Sequence, residues 1–101
     1  MVQQGYQIIA TNYRYSRTEI DIICAINNEL VFVEVKGGRS GEFGDPIHRV
    51  DKRKQEALIK TAQGYLQQSV VDYDSYRFDV IVVEEKEGRL DINHIKGAFT
   101  T

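Results

Sequence analysis

The sequence predicts an α/β fold of the α+β mixed-sheet kind, ordered β-β-β-α-β-β. Two observations carry this. Short apolar runs with two-residue alternation read as strands, and a single long run from about Asp51 to Gln68 repeats at helical spacing. At 101 residues, 42% hydrophobic and 28% charged, the chain suits one globular domain, residues 1–101, with one core.

The elements follow in order. Gly5 precedes a strand from about Tyr6 to Tyr13, where adjacent Ile8 and Ile9 disturb the alternation. Arg14 to Thr18 reads as a polar turn. Glu19 to Lys36, EIDIICAINNELVFVEVK, reads as a hairpin, because Asn27-Asn28 suits a tight turn between two apolar runs. Residues two apart in a strand share a face. Glu19, Asp21, Ile23 and Ala25 therefore lie on one face, and Ile20, Ile22, Cys24 and Ile26 on the other. Leu30, Phe32, Glu34 and Lys36 likewise separate from Val31, Val33 and Val35.

Residues 37–46, GGRSGEFGDP, hold four glycines and the only proline, and read as a mobile loop. Asp51 is a fair N-cap for the helix, whose apolar stripe is Ala57, Leu58, Ala62, Tyr65 and Leu66. A turn at Tyr73 to Ser75 leads to a central apolar strand, Arg77 to Glu84. Glu85 to Arg89 is a charged turn, and Leu90 to Ile95 a short last strand. The helical crossover makes the Glu34 and Val80 strands parallel and right-handed. The apolar faces of 20–26 and 31–35 are expected to pack on the helix.

Composition narrows the function classes. No apolar run approaches the roughly 20 residues of a membrane span, and no signal-peptide pattern opens the chain. The single cysteine, Cys24, reads as a small buried hydrophobe and forms no intrachain disulfide, which is compatible with the cytoplasm. One cysteine and two separated histidines make no zinc pattern. Net charge is −2, so strong non-specific DNA binding is not expected. The charge is uneven, however. Residues 36–54 carry six bases against three acids, and residues 72–91 seven acids against three bases. The basic stretch permits phosphate contacts; a solvated helix start is the plainer reading.

The hairpin register carries the chemistry. A two-residue loop at Asn27-Asn28 makes paired numbers sum to 55, which sets Asp21 opposite Glu34 and Glu19 opposite Lys36. Opposed residues have Cβ atoms about 4.5–5.5 Å apart, where like charges destabilise. A divalent cation between Asp21 and Glu34 would reverse that sign, and Mg²⁺ or Mn²⁺ takes such oxygen ligands. Lys36 on the same face could polarise a phosphate or hold a water. The alternative is an ordinary charged edge, with Glu19 and Lys36 as a cross-strand ion pair. Lys52, Arg53, Lys54 and Gln55 fill the first helical turn, where cations oppose the helix dipole and phosphate is well accommodated.

The order acid-on-strand, hairpin, E-x-K, helix, strand resembles the core of the PD-(D/E)XK, restriction-endonuclease-like, nuclease superfamily. More closely, the chain is similar to the bacterial YraN-like family of uncharacterised proteins, which resembles archaeal Holliday junction resolvases. The matching stretches are GYQIIATNYR, EIDIICA, LVFVEVK, the FGDP loop, VDKRKQEAL, Ala62 to Leu66, RFDV and HIKGAF. They run along nearly the whole chain.

The resemblance implies Asp21, Glu34 and Lys36 as the motif residues, Gln55 or Lys54 as a site residue from the helix, and Glu19 as an additional acid. It implies a metal held by Asp21, Glu34 and the Val35 carbonyl, with Arg39, Lys52, Arg53 and Lys54 on DNA phosphates. The function implied is a Mg²⁺- or Mn²⁺-dependent, structure-selective DNA endonuclease, cytoplasmic and homodimeric like resolvases. The alternative is a non-catalytic DNA-binding or assembly module on the same scaffold. Two departures stand out. Residue 20 is Ile rather than Pro, and such nucleases begin with an acid-bearing helix, which the resemblance implies is missing from this sequence.

Overall fold

The computed structural model describes residues 5–15, 17–39 and 51–99. The elements are β1 (Gln7–Tyr15), β2 (Thr18–Ile26), β3 (Glu29–Arg39), α1 (Lys52–Gln68), β4 (Ser75–Lys86) and β5 (Arg89–Phe99). The strands form one five-stranded sheet in the order β1-β2-β3-β4-β5. β3 and β4 are parallel and every other neighbouring pair is antiparallel. This mixed α+β sheet, with one helix among the described residues, is the predicted class, and it is consistent with a restriction-endonuclease-like core.

Two tight turns set the registers. Asn27 (φ 50°) and Asn28 (φ 61°) are both left-handed, the backbone a twist-matched hairpin needs and one that asparagine tolerates. Ile26 therefore pairs with Glu29, and Ile22 with Val33, as the spacing predicts. Glu87 (φ 49°) and Gly88 (φ 76°) make the same kind of turn between β4 and β5.

The strands outrun their predicted bounds because the turns are narrow. β1 continues through Arg14 and Tyr15, and β4 runs from Ser75 to Lys86. Gly37, Gly38 and Arg39 extend β3 rather than open the loop, pairing with Val83, Glu84 and Glu85. The backbone of β4 offers these residues partners whatever their side chains. The rest of the predicted loop, 40–46, lies outside the described residues. Ile8-Ile9 marks a real irregularity, since the β1–β2 register shifts between Ile8 and Ala10.

The helix begins as expected. Asp51 Oδ1 accepts the Lys54 N–H at 2.8 Å, and the Asp51 carbonyl accepts the Gln55 N–H at 2.9 Å. Leu58, Thr61, Ala62 and Gly64 are its buried residues.

The face on which α1 packs is a correction. It lies over Ile20, Ile23, Leu30 and Phe32, joined by Phe78, Val80 and Val82, not over the valine face of β3. Both faces of β3 are apolar, so alternation cannot say which one the crossover covers. Cys24, Val31, Val33 and Ile81 form a second cluster with Tyr6 on the opposite face. Cys24 is fully buried, and burial pushes its thiol up to about 11, as fits a small core hydrophobe.

Candidate functional site

Asp21 sits where the alternation of β2 breaks. Ile20 and Ile23, three apart, both belong to the helix-side core, and on β1 Ala10 and Tyr13 pack against that same core. The β1–β2 ladder pairs Thr11 with Ile22 and then Tyr13 with Ile20, passing over Asn12 and Asp21. Asn12 has φ 52°, a left-handed kink that frees the pair from the ladder. Asp21 Oδ2 then accepts the Val35 N–H at 2.8 Å, standing in for a ladder carbonyl.

The predicted pairing of Glu19 with Lys36 is not what the fold makes. Glu19 Oε2 accepts from Arg14 Nε at 3.0 Å, across to β1. The kink turns Ile20 into the core, and Glu19 follows β1 rather than β3.

Glu34 is 9% exposed, the most deeply held acid on this face of the sheet's described residues. Burial, and then the Asp21 carboxylate within hydrogen-bonding reach, push its carboxyl from 4.5 up to about 7; Lys54 and Lys36 oppose the shift. Glu34 Oε2 is buried and has no hydrogen-bond partner among the described residues. Among the described residues the nearest cation is Lys54 Nζ at 3.7 Å, within ion-pair range but beyond hydrogen-bonding distance. The β3–β4 ladder is regular here, pairing Glu34 with Val80 and Lys36 with Val82, so Lys36 shares the face of Glu34.

The structure thus brings Asp21, Glu34, Lys36 and Lys54 together. Lys52 and Arg53 are exposed at the start of α1, and Gln55 is half-buried one residue beyond Lys54. Arg39 ends β3, its backbone beside Glu85, and its side chain lies outside the described residues. The sequence reading missed the Asn12 kink and the contact of Lys54 with Glu34. The spacing Asp51-x-x-Lys54 could have suggested the second, since the cap fixes where Lys54 leaves the helix. A groove of about 620 Å³ lies at the other end of α1, lined by Leu66, Tyr73, Tyr76, Phe78 and Phe99, and contains none of these four residues. Among the described residues, no helix is long and apolar enough to cross a membrane.

Residues 1–83 match the model of the "Uncharacterised protein family UPF0102". The chain belongs to this family. It is 43% identical to a UPF0102 protein of Alkaliphilus oremlandii over 98 residues, covering 95% of this chain and 84% of that one. A UPF0102 protein of Chlorobium phaeobacteroides is 41% identical over 103 residues, covering 96% and 81%. One from Caldicellulosiruptor saccharolyticus is 41% identical over 99 residues, covering 96% and 84%.

The donor set of this UPF0102 chain fits a hard divalent cation that keeps much of its water. Asp21 and Glu34 offer carboxylate oxygens, one of them buried and without a hydrogen bond among the described residues. Mg²⁺ is commonly bound by one or two carboxylates with waters and substrate phosphates completing its shell. The set does not fit a closed protein cage, since no group of three or more His, Cys, Asp or Glu residues gathers among the described residues.

Proposed function

We propose that this UPF0102 chain is a metal-dependent, structure-selective DNA endonuclease of the PD-(D/E)XK kind, hydrolysing phosphodiester bonds in branched DNA as Holliday junction resolvases do. The observation that carries the reading is Glu34 Oε2, buried and without a hydrogen bond among the described residues, beside the Asp21 carboxylate. A fold selected only for stability would not place two acids there.

Asp21 and Glu34 would hold Mg²⁺ or Mn²⁺, which supplies an activated water and stabilises charge on the scissile phosphate. The Val35 N–H fixes one Asp21 oxygen and so orients the carboxylate. Lys36 offsets negative charge developing on the phosphate. Lys52, Arg53 and Lys54 at the start of α1 grip flanking phosphates, which position DNA without reading its sequence. With a cation held by the carboxylates, Lys54 would be available to a phosphate.

Thermal melts with and without Mn²⁺ test the site. Wild type should gain melting temperature with Mn²⁺, and Asp21→Asn and Glu34→Gln should not. Asparagine keeps an oxygen for the Val35 N–H, so Asp21→Asn should leave the metal-free fold at least as stable. Lys36→Ala should keep the Mn²⁺ response and lose cleavage. No Mn²⁺ response in wild type, with Asp21→Asn clearly destabilised, rules the nuclease out. The second reading, a non-catalytic DNA-binding module, is favoured by Lys54, which supplies a positive charge to the acidic pair without any metal. It predicts salt-dependent DNA binding with no Mn²⁺ response.

A further inference from the structure

We infer that Tyr15, at the turn between β1 and β2, is a stacking platform for an unpaired DNA base, and that Arg17 beside it contacts the phosphates of that strand. The inference rests on the nucleic-acid reading above and names the feature of branched DNA that the chain would recognise.

The carrying observation is the seat of the ring. Gly64 lies buried inside α1, where glycine weakens a helix. A Cβ at Gly64 would lie 2.7, 2.8 and 2.9 Å from Cδ1, Cε1 and Cγ of Tyr15. The ring therefore rests on the helix backbone at a place only glycine leaves open. Despite this seat, Tyr15 remains 38% exposed. Among the described residues its ring has no aromatic partner and its hydroxyl no hydrogen bond. Tyr13 shows the contrast on the same face. It meets Tyr65 edge-on at 5.3 Å, and its hydroxyl reaches Gln68 Oε1 at 3.5 Å. Core packing accounts for Tyr13; it does not account for the part of the Tyr15 ring left exposed on its seat at Gly64.

The surroundings suit nucleic acid. Arg17 is exposed and makes no ion pair among the described residues, and the Arg14 side chain is 78% exposed although it meets Glu19. Tyr15 pairs with Thr18. Asp21 lies three residues further along β2, about 10 Å at the rise of a strand. Aromatic stacking is sequence-tolerant but needs a base free of its duplex stack. An aromatic platform on this strand selects frayed or branched DNA over continuous duplex without reading a base edge.

The test is DNA binding without divalent metal, by fluorescence anisotropy, on a blunt duplex and on a splayed duplex of equal length. The splayed DNA carries 2-aminopurine at an unpaired position. Wild type should prefer the splayed DNA and quench the 2-aminopurine. Tyr15→Leu, which keeps apolar contact with Gly64, should weaken splayed binding about tenfold or more. It should abolish the quench and leave blunt-duplex binding unchanged, which also shows that the variant is folded. Tyr15→Phe should restore both, and Arg17→Ala should weaken splayed binding while retaining the quench. Unchanged affinity and quench in Tyr15→Leu overturns the inference, as does a wild type that binds neither DNA. A Mn²⁺ response without preference for splayed DNA overturns the platform and leaves the metal site standing. Preference and quench without a Mn²⁺ response do the reverse.

Discussion

Glu34 holds a carboxyl where its charge is costly, and that cost is measurable as a pH dependence of stability. Its carboxyl is raised from 4.5 to about 7, first by burial and then by Asp21. Between those values the folded chain binds more protons than the unfolded chain, so stability falls as pH rises. This contribution is fully present below pH 4.5 and is lost as pH climbs through about 7. At 1.36 kcal/mol per pKa unit it is on the order of 3 kcal/mol for the metal-free protein. Glu34→Gln should flatten this slope, and saturating Mn²⁺ should flatten it in wild type by holding the carboxylate charged. Melting curves of wild type and Glu34→Gln that track each other across that pH range would show that no proton is held there.

At the scale of the element, α1 does two things, and Asp51 links them. Its side chain ties down the Lys54 N–H at the start of the helix, and the same residue sends its ammonium toward Glu34. Asp51→Ala should cost about 1 kcal/mol of stability, the usual value of a lost N-cap. Asp51→Asn should keep most of it. Because the loss also loosens the first turn, Asp51→Ala should weaken DNA binding more than the removal of one surface charge. Urea titration and salt-dependent binding check the two effects separately. A stability loss with DNA affinity intact would detach the cap from the basic residues of the first turn.

Across the whole molecule, a polar network on the face away from α1 ties together strands distant in sequence. Asp79 is fully buried and accepts from Arg77 Nε at 2.9 Å and the Gly97 N–H at 3.0 Å, with His94 Nε2 at 2.6 Å. Arg77 also donates to Glu29 at 2.8 Å and to the Tyr6 hydroxyl at 2.6 Å. The Asp79 carboxylate, above all by hydrogen bonding, holds the guanidinium firmly charged. Residues from β3, β4, β5 and the approach to β1 therefore depend on one carboxylate. Asp79→Ala would leave Arg77 half-buried without its main partner and should cost about 3–5 kcal/mol. A urea midpoint implying less than about 0.5 kcal/mol would make the network incidental. This cluster lies on the opposite face from Glu34, so such a loss should weaken the fold without removing the Mn²⁺ response of the folded fraction.

Local chemistry made the elements legible in the sequence. Asn27-Asn28 tolerates the left-handed backbone of a tight hairpin, which fixed the register that brings Asp21 toward Glu34. Asp51 marked the helix start, and the crossover implied the parallel β3–β4 pair. Tertiary structure decided what periodicity cannot express. β3 is apolar on both faces, so only packing chose the face under α1. The kink at Asn12 turned Ile20 inward, sent Glu19 to Arg14 and left Asp21 free to take the Val35 N–H. Strand alternation assumes an unbroken ladder, and the candidate site lies where the ladder is broken. The contacts of Arg77 with Tyr6 and of Tyr15 with Gly64 join residues far apart in sequence. Such contacts depend on how the strands and helix pack in space, which no local pattern in the chain encodes.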